Sequence, residues 1–419
     1  MRGVYPSIML KMAKNGGPAL SLALLVLSGC GSNTDSGTAS AGTSGSRYAV
    51  STAMLVGEDY VGYLATVPSI AAGSSFDLDH ALEIEPSWIF GKPGAPYVYA
   101  ASLFSPTIVR YDLGADGNLV EGDKVSFANY GLQSAYLAQA APIYSDDKSY
   151  FIDDLQDQIV IWNPRLMTAI GTIALGNQNE GKLRPAAEGS LVIHEGLILA
   201  ATHWSDPNDD PSAYGSHVRL VAIDPKTDKI VQSTDDSRLS YAVPAGRASD
   251  GSLYYSPNSF ISSETEIGPG HGSPSHVLRV GPRATEFDAN YDLDLGPLVG
   301  GRPAGDFTLL DDKTALIRAW HPELADPITP ETWKDVLWNE AGFLWWLWHV
   351  GDAEATQIAN QSPGSLAASL FSLDGKTYVV RNAEDATSTT LDEIDAQGEF
   401  HPTFTGPGQF IGQGVVRVR

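Results

Sequence analysis

The chain has 419 residues, with 26 Lys+Arg against 50 Asp+Glu and a formal net charge of -24. Acidity of this size argues against nucleic acid and against a polybasic hold on anionic lipid, since both need clustered cations. A single cysteine, Cys30, excludes a disulfide within the chain.

The first residues are basic, with Arg2, Lys11 and Lys14 and no acid. The apolar run from Ala19 to Leu27 falls well short of the roughly 20 residues that span a bilayer as a helix. It fits the core of a secretory signal. Leu27-Ser28-Gly29-Cys30 then reads apolar, small, small, cysteine, which resembles the lipobox of bacterial lipoproteins. That likeness implies cleavage before Cys30 and lipid on its thiol, and hence a membrane partner reached through a lipid anchor. Several acyl chains at one site hold a protein where one would not. Residues 1–29 are therefore expected to be a lipoprotein signal peptide. Residues 30–46, GSNTDSGTASAGTSGS after the cysteine, form a flexible tether without core-forming side chains. Gly31 and Ser32 in place of Asp after the cysteine point to an exported protein on the outer membrane.

Residues 47–419 read as one all-β domain, in which short Val, Ile, Tyr, Leu and Phe runs alternate with Gly, Asp, Asn and Pro turns. A unit repeats along it. The first copy holds RYAVSTAML and YVGYLATV, the second PYVYAAS, TIVRYDL and KVSFA, the third APIYSDDKSYFID, QIVIWNP and IGTIAL. SLVIHEGLILAATHW with HVRLVAIDPKTDKIVQS makes a fourth, and SLYYSP, SHVLRVGP and EFDANYDL a fifth. DFTLLDDKTALIRAWHP with GFLWWLWHV follows, and SLFSLDGKTYVVRN, TTLDEID and FHPTF end the series. The hairpin turns DDKS, SDGS, DDKT and LDGK use Asp and Gly, which tolerate positive φ. The spacing of roughly 50 residues lies in the range of propeller repeats. The expected fold is a β-propeller of about seven four-stranded blades. The alternating tail GQGVVRVR is expected to complete the sheet that begins near Arg47, so that N- and C-terminal strands close the ring together.

In a propeller, the loops between second and third strands rise on the face where inner strands begin. Three such loops are long here, about 203–217, 257–275 and 320–341, and long loops tend to be functional. They carry His203, Trp204, Tyr214, His217, Phe260, His271, Trp320, His321, Trp333 and Trp338. In PITPETWKDVLWNEAG, Thr329 is expected to cap a short lid helix whose apolar face holds Trp333, Leu337 and Trp338. Arg184 and Arg302 open their blades in a shared Arg-Pro-Ala, Arg247 is expected at a similar place, and Arg318 and Arg381 fall late in second strands. The candidate ligand-binding set is thus Arg184, Arg247, Arg302, Arg318, Arg381, His203, Trp204, Tyr214, Trp320 and His321. Arginine suits forked recognition of anionic oxygens and stacking on rings. The competing expectation is that these arginines lock neighbouring blades through carboxylates. Trp345, Trp346 and Trp348 alternate along one strand and are expected to pack between blades.

No catalytic residue and no metal site is assigned. G-x-S-x-G, H-E-x-x-H and phosphate-loop motifs are absent, and Asp206-Pro207-Asn208-Asp209-Asp210 lacks calcium-loop spacing. The reading favours binding over catalysis. An envelope protein-interaction propeller, and a propeller hydrolase or quinone-dependent oxidoreductase, stay open as alternatives.

The segments YAVSTAML…YVGYL, SPTIVRYDLGADGNLVEGDKVSFANYGL and YFIDDLQDQIVIWNPRLMTAIGTIAL resemble the β-propeller lipoproteins of myxobacterial gene clusters for the catechol siderophore myxochelin. They are similar to gut-bacterial lipoproteins that capture xenosiderophores beside an outer-membrane receptor. The likeness covers most of residues 47–419 and is sharpest over 48–175. It implies an envelope lipoprotein that binds a small-molecule ferric siderophore and passes it to a TonB-dependent outer-membrane transporter. No intrinsic cofactor is implied, and iron enters only as ferric ion carried within the siderophore.

Overall fold

Strands of two to nine residues cannot bury both faces alone and so stack as separate small sheets. The computed structural model describes residues 45–419 except 57–58, 154, 188–190, 207–212, 365–368, 384–386, 396, 411 and 413. Cys30, the signal and nearly all of the tether lie outside the described residues. Seven small sheets form a ring, a seven-bladed β-propeller as the repeats imply.

The ring closes as expected. Val415–Arg417 is the inner strand of blade 1 and pairs antiparallel with Tyr48–Val56, in the register Tyr48↔Arg417, Ala49↔Val416 and Val50↔Val415. Asp59–Val67 and Leu82–Ile84 complete that blade. Blade 2 runs from Ser87–Phe90 at the centre through Tyr97–Ser102 and Thr107–Leu113 to Leu119–Ser126. Blade 4 starts with a divided inner strand, Arg184–Ala186 and Leu191–His194, both paired with Leu197–Ser205. Blade 5 holds Val243–Arg247, Leu253–Ser256, His276–Val280 and Phe287–Asp294, and blade 6 holds Ala304–Asp311, Thr314–Trp320, Phe343–His349 and Thr356–Gln357. Blade 7 extends from Ser369–Leu373 to Phe400–Pro407, whose outer edge takes Ser74–Ser75 in parallel pairing. That fifth strand covers an edge that would otherwise template pairing with another chain.

Blade 3 has three named strands among the described residues, Ser149–Asp153, Gln158–Asn163 and Thr168–Ala174. The inner strand expected in APIYS is reduced to the single bridge Ser145↔Lys148, and Tyr136–Ala140 before it forms a 3-10 turn.

The turns follow their chemistry. Leu373 pairs with Lys376 around Asp374 (φ 53°) and Gly375 (φ 76°), a two-residue loop with both centres left-handed. The core is distributed between blades. Val50, Phe76, Val380 and Phe404 fill the wedge between blades 7 and 1, and Ala49, Ile89, Val98 and Val416 that between blades 1 and 2. Trp348 packs toward blade 5 and Trp345 toward blade 7, the alternation expected of that strand.

Inner strands begin on one face, here the upper face, together with the loops joining second and third strands. The lower face carries the hairpins within blades, and the first strand starts there at Tyr48. Because closure rests on three residue pairs, it has a direct test. Val416 is 4 % exposed. Val416→Asp buries an unpaired carboxylate at the seam and is expected to cost about 3–5 kcal/mol, read as a lower urea midpoint. An unchanged midpoint would place closure elsewhere.

Candidate functional site

The long loops of blades 4, 5 and 6 meet on the upper face, but their aromatic side chains turn inward. Tyr241, Phe260, Trp320, Trp333 and Phe343 form a buried cluster above the sheets, with half-buried Tyr214 against it. Two short helices build this cap. The first, α1 (Ser259–Ser263), is capped by Asn258, whose side chain accepts from the Ile261 N–H. Its start lies over the inner strand of blade 6, where a Cβ on Gly305 would fall 2.5 Å from the Asn258 carbonyl carbon. The second, α2 (Trp333–Asn339), begins four residues after Thr329, later than the sequence suggests, with Thr332 at its N-terminus. Thr329 instead folds the preceding turn, its hydroxyl accepting from the Glu331 and Thr332 N–H groups. The described buried residues of α2 are Trp333, Val336 and Leu337, and the side chain of Trp338 lies outside the described residues. A Cβ on Gly342 would fall 2.1 Å from the Trp320 ring, so only glycine lets that indole lie in the cap.

The histidines and tryptophans of the candidate set are therefore embedded in the cap. His203 is 2 % exposed, its ring centroid lies 4.8 Å from Tyr241 and 5.9 Å from Tyr214, and its Nε2 has no hydrogen-bond partner. Burial pushes its pKa down to about 3. Trp204 is buried, donates to the Gln178 carbonyl at 2.7 Å and carries the Arg219 guanidinium 5.1 Å above its ring. Trp320 packs against Phe343, with centroids 4.9 Å apart. His321 faces Glu323 at 3.0 Å through Nδ1, and its Nε2 accepts from Trp346 Nε1 at 3.3 Å. Those partners fix the proton on Nδ1. Glu323 is held down to about 2 by its own backbone N–H, by His321 and by Arg302.

The arginines do not converge. Arg302 lies on the upper face of blade 6, donates to Glu323 at 3.0 Å and stacks over Trp346. Arg318 is 2 % exposed and pairs at 3.6 Å with Asp306, itself 2 % exposed. Ser259 Oγ, from α1, also donates to Asp306, tying the cap to blade 6. Burial pushes the Asp306 carboxyl up and the facing guanidinium opposes it. Arg381 pairs with buried Asp392 inside blade 7. Arg247 is a correction to the sequence reading. It ends the inner strand of blade 5, opposite Leu253, which puts it at the lower face, where it donates to the carbonyls of Ile193 and Gly251. An inner strand runs from upper to lower face, and Arg247 is its last residue rather than its first. Arg184 alone is exposed on the upper face without an ion pair among the described residues.

The other half of the upper face, over blades 7, 1, 2 and 3, lacks α-helices among the described residues; its longest connection, 127–148 between blades 2 and 3, holds the 3-10 turns Ala128–Tyr130 and Tyr136–Ala140. There the structure gathers polar atoms that sequence reasoning missed. Trp88 Nε1, both amide atoms of Gln139 and Nε2 of Gln409 are buried without a hydrogen-bond partner. Trp88 is the second residue of the inner strand of blade 2, Gln139 lies in the 3-10 turn that leads into blade 3, and Gln409 precedes the closing strand. A Cβ on Gly412 would lie 3.6 Å from Gln139 Oε1 and 3.7 Å from the Trp88 ring, so indole, amide and the last link of the chain meet at one point. Exposed Leu55, Val56 and Phe104 rise from blades 1 and 2 beside them. A buried polar group left unpaired costs about 1–3 kcal/mol, and such groups call for an explanation. The N–H donors of Trp88 and Gln139 meet here, Gln409 lies on the same link, and donors suit oxygen acceptors. The sequence signal is faint: Gln139 is one amide in the run Leu-Ala-Gln-Ala-Ala.

Among the described residues, no three His, Cys, Asp or Glu side chains stand close enough to hold a metal ion. No helix among them is long and apolar enough to cross a membrane.

No protein-family model matches the chain, and no curated protein does. Among solved structures it is similar to a putative 6-phosphogluconolactonase of Bacteroides uniformis, at TM-score 0.51 and 10% identity over 89% of this chain and 99% of that one. It is also similar to a periplasmic gluconolactonase of Pseudomonas aeruginosa, at TM-score 0.49 and 10% identity over 89% and 99%. At such identity the first likeness speaks for the propeller fold alone.

Two predictions concern the cap. His203 ordinarily titrates near 6.5 and in the folded chain near 3. The stability its neutral ring contributes is complete above pH 6.5 and is lost as pH falls from there toward 3. Going from pH 7 to pH 5 should cost about 2 kcal/mol through this group; urea unfolding at both pH values checks it, and His203→Phe should remove that share. Arg318→Met leaves Asp306 charged and alone in the interior, at an expected cost of about 3–5 kcal/mol. Adding Asp306→Asn should recover much of it. Equal stability of Arg318→Met and the parent would show that the pair holds nothing.

Proposed function

We propose that the chain is an exported lipoprotein whose propeller binds a ferric catechol siderophore on the open half of its upper face and hands it to a TonB-dependent outer-membrane transporter. The observation that carries the binding site is the unpartnered donor set of Trp88, Gln139 and Gln409. A ferric catecholate presents coordinated oxygens and amide carbonyls, all acceptors, between flat aromatic faces. Indole and amide N–H groups answer the first, and the exposed rim of Leu55, Val56 and Phe104 answers the second. Neutral donors also suit this chain. With a net charge of -24 it repels an anion at long range, and recognition then falls to short-range hydrogen bonds. Arg184 adds one cation on the same face.

The anchor in this reading is lipid on Cys30. The first strand starts at the lower face, so a tether over residues 30–46 would leave from there and turn the upper face away from the membrane. A transporter would then meet the exposed apolar rim.

Titration of the chain from Gly31 onward, followed by tryptophan fluorescence, tests this. A ferric catechol siderophore should quench saturably at micromolar concentration or below after correction for its absorbance, and the iron-free form should bind more weakly. Trp88→Phe should remove much of the signal. Gln139→Ala with Gln409→Ala, two hydrogen bonds of about 1 kcal/mol each, should weaken binding about 30-fold. Absence of saturable quenching, or full affinity in the double variant, would reject the site.

A further inference from the structure

We propose that the lower-face cleft between blades 5 and 6 is a second binding site, for a small organic cation of the quaternary or methylated ammonium class. The site lies on the face opposite the recess described above and does not depend on the siderophore reading.

The cleft is a cavity of about 260 Å³. Tyr254 and Tyr291 line it from blade 5, Phe307 and Trp348 from blade 6, and Asp250 and Asp312 stand at hairpins on its rim. The four rings form a continuous chain: Tyr254 and Tyr291 are 5.6 Å apart edge to face, Tyr254 and Phe307 6.2 Å, Phe307 and Trp348 6.3 Å. No lysine or arginine lines the cavity. Aromatic faces with nearby carboxylates attract a cation through the ring quadrupole and through charge, and a methylated ammonium also buries its methyl groups on the rings. The volume suits a small head group rather than a drug-sized ligand.

The rings already act this way toward the chain's own cation. The Arg279 guanidinium sits 4.7 Å from the Tyr291 centroid, outside the cavity lining, and its charge is matched by Asp288. Among the described residues the two rim carboxylates carry no such cationic partner. Asp250 accepts from the Ser252 N–H at 2.8 Å, and Asp312 accepts from the Ser249 N–H at 2.8 Å and from its hydroxyl. Both are therefore fixed in place and available to a bound cation. Trp348 is fixed as well, with its indole N–H on the Asp352 carbonyl at 2.9 Å. An anion would meet two carboxylates, and a neutral apolar ligand would leave them unused.

Calorimetric titration of the full chain with choline, and with its uncharged isostere 3,3-dimethylbutanol, tests the assignment. Choline should bind saturably and at least 10-fold more tightly than the isostere. Asp312→Asn, a surface change that leaves the fold intact, should weaken choline about 3-fold, and Tyr254→Leu about 10-fold. Equal affinity for the two compounds, or no saturable choline binding, would overturn the proposal. A second arm uses phosphatidylcholine and phosphatidylglycerol vesicles. Capture by phosphatidylcholine that free choline displaces would make the source of the cation a lipid head group. Choline binding without vesicle capture would make it a soluble ligand, and either result supports the site.

Discussion

Everything in this molecule hangs on a short strand from the end of the chain completing the sheet that the first strand begins. A propeller blade buries its faces only against its neighbours, so an open ring leaves two sheets with an unpaired flank. Here Val415–Arg417 supplies the inner strand of blade 1, and Val415, Val416 and Val418 fill the wedges on either side of it. The same link carries Gln409 and Gly412 to the upper face. Closure and the proposed recess thus share one segment.

The upper face is asymmetric for a simple reason. The blade 5 loop carries Phe260 and the blade 6 loop Trp320 and Trp333, and these rings leave water by packing together where the two loops lie within reach. The loops of blades 5 and 6 therefore fold α1 and α2 onto each other, and the buried Asp306–Arg318 pair and Ser259 fasten them to the sheet below. Over blades 7 to 3 the described connections form no such helices, and Trp88 Nε1, the Gln139 amide and Gln409 Nε2 stay buried and unpaired there. Length and aromatic content mark where the chain covers itself rather than where it stays open.

Much of the fold was legible because the signals are local. Alternating strands such as TIVRYDL and the Asp-Gly turns that join them depend on neighbours in sequence, and GQGVVRVR declared itself as a strand without a partner nearby. Ser87–Phe90 was missed because all four of its residues are buried, which erases alternation. The inner strand that APIYS suggests in blade 3 is reduced to the Ser145↔Lys148 bridge, after a 3-10 turn in an alanine-rich run that carries no turn signal. The site was harder to read because it depends on partners. Arg318 looked like a ligand for an anion, yet Gly305↔Arg318 pairing brings Asp306 beside it. Arg247 looked like the start of a blade, and the register with Leu253 makes it the end. Gln139 and Gln409 acquire meaning only when the ring closes.

The two faces then divide the work proposed for them: hydrogen-bond donors above, an aromatic cleft below, and a cap that keeps the long loops out of both. The most direct test of this account is hydrogen exchange of the chain with and without a ferric catechol siderophore. Binding at the open half predicts slower exchange confined to segments around residues 86–90, 134–141 and 405–414, with the capping loops at 257–275 and 321–342 unchanged. Protection centred on those capping loops, or none on the open half despite saturation, would contradict it.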